Sequence, residues 1–328
     1  MNIMKNNNVK AAVDIVLYLI VFVLLQVIFL NGADLMGKHY GIDSVITMAA
    51  GTALSGLITI VIFLWRRWSP YSREYIATRP WTALVWVVLL SLGTIIPSQW
   101  MIEVLDVDMP KETLELMTKL LGTPWGYLAV GVLAPVAEEM VFRGAILRRL
   151  LEVMGEGRKW FAIIISALLF GALHANGPQF IHAALIGVLL GWMYIRTNSI
   201  VPGMLFHWIN NTIAFVAYNM IHQVADGKLI DIFQGNQRSV YMALGFSLCI
   251  FKDDVLDALL VLLKEVGEST IVGMLGIEWM ILHPVACGIA IEIITRLDGQ
   301  VHVGLVNTGA QLLLLGKSSC CTEQQCCE

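Results

Sequence analysis

The chain has 328 residues, of which 57% belong to the set AVILMFWYC and only 14% are charged. Its mean hydropathy is +0.73. A soluble domain has about 25% charged residues and needs polar side chains to cover its surface. This composition therefore excludes a compact soluble fold. A net charge of -4 without a clustered basic face also excludes a nucleic-acid-binding protein. The sequence predicts a polytopic membrane protein in contact with the lipid bilayer.

Apolar segments long enough for membrane helices recur along most of the chain. Crossing the ~30 Å hydrocarbon core takes roughly 20 residues in a helix. We therefore predict an all-α transmembrane bundle of about eight helices, and a surface or interfacial helix after Pro110. The predicted membrane segments are Ala11–Leu30, Val45–Trp65, Trp81–Pro97, Trp125–Leu147, Trp160–Leu173, Phe180–Ile195, Ile200–Met220 and Val240–Phe251.

Basic and acidic residues flank these segments on opposite sides. Lys5 and Lys10 precede the first segment and Arg66 and Arg67 follow the second, whereas acidic residues such as Asp34 lie at the other ends. Positive residues favour the cytosolic side of a membrane. The pattern predicts a cytosolic amino terminus. We interpret the first segment as a retained helix and the protein as a multi-pass protein of a bacterial inner membrane.

The chain divides by composition into a membrane domain, residues 1–252, and a C-terminal tail, residues 253–328. In the tail, Asp253–Glu268 has an amphipathic helical pattern, and Ile289–Leu297 and Val301–Val306 are strand-like or buried. No motif assigns the tail a function. Its four clustered cysteines leave palmitoylation, metal binding and a reactive tail all open. They are Cys320, Cys321, Cys326 and Cys327.

The fourth predicted segment contains three charged residues, Glu138, Glu139 and Arg143. Ionisable residues inside membrane segments are energetically costly and point to function. Glu139 and Arg143 are four residues apart, so they share a helix face and can form an ion pair. Glu138 lies about 100° around the helix from Glu139. The pattern therefore predicts one neutralised carboxylate and one free carboxylate.

Two further segments contribute polar residues at a similar estimated depth. Phe170 and His174 share one helix face by their spacing, as do His207 and Asn211. A carboxylate can take a proton from water, and a histidine and an amide can stabilise an oxyanion that forms on a carbonyl. These groups predict amide hydrolysis with water as the nucleophile. His182 stands alone on its predicted helix, and we interpret it as a supporting or packing residue.

Other interpretations of these residues remain open at this point. Glu138, His174 and His207 could together ligate zinc and activate the same water molecule. The Glu–Arg pair and the histidines could instead only hold helices together in a membrane scaffold. A transporter would need polar residues in both halves of the chain, and the first three predicted segments offer almost none.

Three motifs occur in order: Glu138-Glu139-x-x-x-Arg143, Phe170-x-x-x-His174 and His207-x-x-x-Asn211. Together they resemble the CPBP family, the intramembrane proteases that include CAAX-prenyl-endopeptidase-like and bacteriocin-processing (Abi) members. The resemblance covers roughly Leu121–Met220. It implies an all-helical fold in which Glu138 activates water with His174, while His207 and Asn211 form the oxyanion site. Glu139 and Arg143 would then be structural or substrate-orienting.

The sequence and the resemblance together predict an intramembrane endopeptidase. The expected partner is a peptide or protein substrate, which could carry a lipid, and no cofactor is required unless zinc serves the site. The alternative is a non-catalytic scaffold of the same family that binds a peptide or partner protein, as in bacteriocin immunity. The family's chains usually end soon after the eighth helix, so the resemblance does not explain residues 253–328.

Overall fold

The computed structural model describes residues 2–70, 72–105, 110–220, 228–250, 303–304 and 314–315. The chain forms two compact units, residues 1–251 and 252–328. In the second unit, Val303–Gly304 pairs antiparallel with Leu314–Leu315, and the first of these strands lies within the strand-like segment Val301–Val306. The tail's predicted amphipathic helix, the segment Ile289–Leu297 and the four clustered cysteines lie outside the described residues.

The first unit begins with a long helical hairpin. Helix α1 comprises Asn2–Tyr40 and α2 comprises Ser44–Trp65. Helix α1 is longer than the predicted apolar segment, and it is followed by Gly41, whose φ of 68° no helix can continue. The Asp43 side chain accepts a hydrogen bond from the Val45 N–H at 2.8 Å and so caps the first turn of α2.

The remaining helices follow in chain order. Helix α5 is the predicted surface helix after Pro110, and it meets α6 at an angle of 101°. The elements are α3 (Arg73–Ala77), α4 (Trp81–Leu105), α5 (Lys111–Leu121), α6 (Pro124–Met154), α7 (Lys159–Ala172), α8 (Gly177–Thr197), α9 (Val201–Met220), α10 (Leu229–Ile232) and α11 (Gln237–Ile250).

Four helices among the described residues, α1, α2, α4 and α8, are long and apolar enough to cross a membrane. The bent pair of α5 and α6 would make a fifth span. The predicted span Trp160–Leu173 corresponds to α7, whose 14 residues extend only ~21 Å. Helix α9 has 20 residues, but polar side chains such as His207 and Asn211 lower its hydropathy. The all-α class is confirmed, whereas the count of eight spans is not.

Helix α6 is not a uniform α-helix. Its segments Tyr127–Leu133 and Met140–Leu147 are π-helical, and the Ala134 N–H donates to the carbonyl oxygen of Ala129, five residues back. Pro135 has no N–H and so removes one bond from the regular ladder. Local π-helical turns of this kind are frequent at functional sites. The two π-helical segments flank the short α-helical segment Ala134–Glu139, which carries both glutamates.

The carboxyl-terminal end of α6, which the sequence predicts to lie on the cytosolic side, is held by ion pairs and hydrogen bonds of two arginines. Arg149 Nε donates to Asp14 Oδ2 of α1 at 2.9 Å, and Arg148 Nη2 donates to the carbonyl oxygen of Trp68 at 3.0 Å. Arg148 and Arg149 also both contact Glu152. The sequence does not reveal the contact between Asp14 and Arg149, because the two residues are 135 positions apart in the chain. These contacts fix the end of α6 against the hairpin of α1 and α2.

Helices α7 and α8 pack closely through small residues. An added Cβ at Gly171 would lie 2.8 Å from the Phe180 carbonyl oxygen, and one at Gly187 would lie 3.0 Å from Ala167 Cα. Small residues allow this approach between helices in a membrane. An apolar core lies next to this contact, between α4, α8 and α9, and it consists of Val87, Ile186, Leu190, Met193 and Phe206.

Two glycines of the α1–α2 hairpin have different surroundings, so their alanine variants can be compared directly. A Cβ at Gly51 of α2 would lie 2.8 Å from the Phe29 carbonyl oxygen of α1, whereas a Cβ at Gly32 has no atom within 4 Å. We expect Gly51→Ala to lower the free energy of unfolding by about 1–3 kcal/mol, because the backbone must move. Gly32→Ala should be neutral or slightly stabilising, since alanine favours the helix. Thermal unfolding in detergent measures both, and equal melting temperatures for the two variants would contradict the predicted helix contact.

Candidate functional site

The site is built around a buried ion pair. Arg143 Nη1 donates to Glu139 Oε1 at 2.8 Å, and the two side chains are 1% and 0% exposed. This is the pair that their spacing of four residues predicts. Within the described part of the chain, Glu139 Oε2 and Arg143 Nε have no hydrogen-bond partner. The pair is therefore dry and only partly satisfied.

Two other helices hold the Arg143 guanidinium. Its Nη2 donates to the carbonyl oxygen of Gly187 in α8 at 3.2 Å, and its central carbon lies 4.6 Å from the Phe170 ring centroid of α7. A guanidinium over an aromatic face is attracted by the negative charge density of the ring. Arg143 thus connects α6 with α7 and α8 at the level of the glutamates.

The His207 imidazole of α9 lies between the two adjacent glutamates. Its Nε2 is 3.7 Å from Glu138 Oε2, and its Nδ1 is 3.5 Å from Glu139 Oε1. These distances are too long for good hydrogen bonds, but they place the imidazole next to both carboxylates. The Glu138 side chain is 18% exposed, in contrast to its fully buried neighbour. Only Glu138 of the two can meet water or a substrate directly.

His174 lies in the turn that joins α7 to α8. The prediction that a membrane segment carries it is therefore wrong, because α7 ends at Ala172. Ala175 has a φ of 54°, and Asn176 caps α8 by accepting from the Gln179 N–H at 3.1 Å. The ring still packs on the Phe170 ring, with centroids 5.2 Å apart. The side chain is half-buried, and its Nδ1 is 3.1 Å from the Phe170 carbonyl oxygen.

Asn211 lies one turn after His207 on α9 and faces α6. Its Nδ2 donates to the carbonyl oxygen of Val130 at 3.0 Å. That carbonyl belongs to the π-helical segment Tyr127–Leu133. A side-chain amide carries two N–H donors, so this bond orients Asn211 and leaves one donor for another acceptor.

Phe170 connects the parts of the site. Besides His174 and Arg143, its ring meets the His207 ring edge-on at 5.7 Å between centroids, and the Phe142 ring at 5.1 Å. The sequence analysis used Phe170 only to mark a helix face. Its central position follows from the meeting of α6, α7 and α9, which spacing within one helix does not reveal.

His182 is part of the same neighbourhood. It lies on α8, near His174 and His207. Its Nδ1 is buried and has no hydrogen-bond partner within the described residues. The interpretation of His182 as a supporting or packing residue stays a prediction.

The proposed zinc ligands do not form a ligand set in this structure. Across the described residues, no group of three or more His, Cys, Asp or Glu side chains is arranged to hold a metal ion. Glu138 and His207 are neighbours, but His174 is packed on Phe170 with its Nδ1 directed to a backbone oxygen.

The comparisons with known proteins agree with the motifs. Residues 120–213 match the family model described as Type II CAAX prenyl endopeptidase Rce1-like. This range contains all three motifs, so this part of the chain is similar to the CPBP and CAAX-protease-like family. Comparisons with curated proteins and with solved structures gave no match. Together with the apolar helices, the family match indicates a multi-pass membrane protein of the intramembrane peptidase type.

The buried pair yields a prediction about stability. Arg143→Ala leaves the Glu139 carboxylate buried without its partner, which costs about 3–5 kcal/mol. We expect a lower melting temperature in detergent and a smaller amount of protein in the membrane. Lys119→Ala is the matched control, since it removes an ion pair of the same spacing to Glu115 that lies on the surface. Exposed pairs contribute little, so equal losses in both variants would count against the Glu139–Arg143 pair.

Proposed function

We propose that the protein is an intramembrane endopeptidase that hydrolyses a peptide bond with a water molecule activated by Glu138. The observation that supports this most strongly is the different environment of two adjacent carboxylates. Glu139 is fully buried and paired with Arg143, whereas Glu138 is partly exposed and lies beside His207. A carboxylate that can reach water without competing for the arginine is suited to act as a general base.

In this mechanism Glu138 removes a proton from water as the water oxygen attacks the carbonyl carbon of the substrate. His174, at the end of α7, positions the water from the opposite side. The carbonyl oxygen becomes an oxyanion, and the carbon–nitrogen bond of the tetrahedral intermediate then breaks. Glu138 returns the proton to the departing amine, so all atoms and charges balance across the reaction.

His207 and Asn211 supply the donors for the oxyanion. Both lie on α9, one turn apart, and the bond from Asn211 to Val130 holds the amide in place while leaving a second N–H free to donate. A preorganised donor pair is worth several kcal/mol in the transition state. The position of both residues on one rigid helix favours such preorganisation.

The family description suggests a lipidated peptide as substrate. A Type II CAAX prenyl endopeptidase acts on a prenylated carboxyl terminus, and a substrate anchored by a lipid would approach the site from the bilayer. For this chain we propose a peptide or protein substrate in the membrane, with a lipid as an optional feature. The charge pattern supports a cytosolic amino terminus, and we propose a bacterial inner membrane as the location.

The test of catalysis is Glu138→Gln, which keeps the shape of the side chain and removes the base. We expect turnover to fall about 10²–10⁴-fold, with an unchanged melting temperature because Glu138 is not paired with Arg143. The assay follows cleavage of a farnesylated peptide that ends in a CAAX sequence, in liposomes, alongside the same peptide without the lipid. Glu112→Gln, an exposed glutamate on α5, is the control and should retain full activity.

The same experiment separates the enzyme from a scaffold of the same family. Full turnover by a stable Glu138→Gln protein would remove the proposed mechanism. If the unmodified protein cleaves neither peptide, yet both it and the Glu138→Gln variant retain them in a pull-down, the non-catalytic scaffold is the better interpretation.

Removal of metal gives an independent prediction. Since Glu138, His174 and His207 are not arranged as a ligand set, we expect turnover to survive treatment with the chelator 1,10-phenanthroline. Metal analysis of the treated protein serves as the control. A loss of activity that added zinc restores would instead favour the zinc chemistry.

A further inference from the structure

The two nitrogens of His207 face two different carboxylates. Nε2 lies 3.7 Å from Oε2 of Glu138, the residue that the proposed function places at the reacting water, and Nδ1 lies 3.5 Å from Glu139 Oε1. Within the described residues, Nδ1 is buried and has no hydrogen-bond partner. Hydrogen bonds of this kind are often long in an active site without substrate and shorten when the substrate binds. The orientation of the His207 ring therefore depends on the position of the Glu139 carboxylate.

The Glu139 carboxylate is held in place by a series of contacts. Arg143 binds its Oε1, and Gly187 and Phe170 in turn hold Arg143. Arginine stays protonated in proteins, so the ion pair holds the Glu139 carboxylate in one position beside His207. The same oxygen, Oε1, is the one that lies 3.5 Å from His207 Nδ1.

Helix α9 is shaped to bring His207 close to this carboxylate. Gly203 lies one turn before His207, and a Cβ there would be 2.6 Å from Glu139 Oε2. Any larger residue at this position would push the carboxylate away from α9. The absence of a side chain at Gly203 thus allows Glu139 and His207 to occupy the same level of the site.

We infer that Glu139 is a positioning residue for the proposed reaction: its carboxylate, fixed by Arg143, accepts the Nδ1–H of the protonated His207 ring and so directs the Nε2–H to the oxyanion. This inference rests on the proposed function for its catalytic consequence. It assigns Glu139 a role beyond helix packing, because a partner on one ring nitrogen fixes the orientation of the ring and therefore the direction of the other N–H.

The decisive variant replaces both members of the pair with apolar residues of similar size, Glu139→Leu/Arg143→Met. Such a replacement of a buried ion pair is often neutral or stabilising, so the helix contacts are kept while the acceptor for Nδ1 is lost. We expect kcat to fall about 10–100-fold, with little change in KM, since Glu139 does not touch the substrate. The control is Glu115→Leu/Lys119→Met, which removes the surface pair of the same spacing and should leave kcat unchanged.

A double variant with the melting temperature and the kcat of the original protein would overturn the inference, because a purely structural role predicts that outcome. A second measurement needs neither the double variant nor an active enzyme. In ¹⁵N NMR of the histidine-labelled protein, with the His207 signals assigned by their loss in His207→Gln, we expect a protonated Nδ1. An unprotonated Nδ1 would overturn the inference.

The two proposals fail in different ways. A fully active Glu138→Gln protein would remove the water-activation mechanism, whatever the state of the His207 ring. An inactive Glu138→Gln protein combined with a fully active Glu139→Leu/Arg143→Met protein would remove only the positioning role of Glu139.

Discussion

The buried pair of Glu139 and Arg143 is the interaction on which the site depends. A charged side chain is costly to remove from water, and it is tolerated only where a partner and further hydrogen bonds compensate. Here the compensation comes from four helices: α6 provides both charges, α7 the Phe170 ring, α8 the Gly187 carbonyl and α9 the histidine. The same contacts that make the pair tolerable therefore bring the polar residues of three separate motifs together.

The buried ion pair needs space that a side chain at two glycine positions would occupy. Gly187 and Gly203 lie where α8 and α9 approach the charged groups, and a Cβ at either position would lie within 3.3 Å of Arg143 Nη2 or 2.6 Å of Glu139 Oε2. In a membrane, where helices gain little from hiding apolar surface, close packing through small residues is itself a source of association. The glycines thus serve both helix packing and the ion pair.

The sequence predicted those features that depend on spacing within one helix. The separation of four residues predicted the Glu139–Arg143 pair, and the long apolar segments predicted an all-helical membrane fold. It did not predict that α7 ends before His174, because Ala175 and Asn176 are the residues that turn the chain there. The π-helical segments of α6 also escaped prediction, since a regular period of 3.6 residues was assumed throughout. Contacts between helices, such as those of Phe170 with His207, have no signature in a single sequence.

Two adjacent glutamates acquire different chemistry from their surroundings alone. Glu138 and Glu139 are identical in covalent structure, and their side chains point about 100° apart on the helix. One direction leads into the space shared by Arg143 and α9, where the carboxylate is fully buried, and the other leads to a partly exposed position beside His207. A carboxylate bound by a guanidinium serves poorly as a base, because taking up a proton would cost it that ion pair. The neighbour without such a partner gives up less when it accepts a proton, and it is also the one that water can reach. In the proposed mechanism, the direction of each side chain, rather than its identity, therefore separates the carboxylate that positions His207 from the carboxylate that activates water.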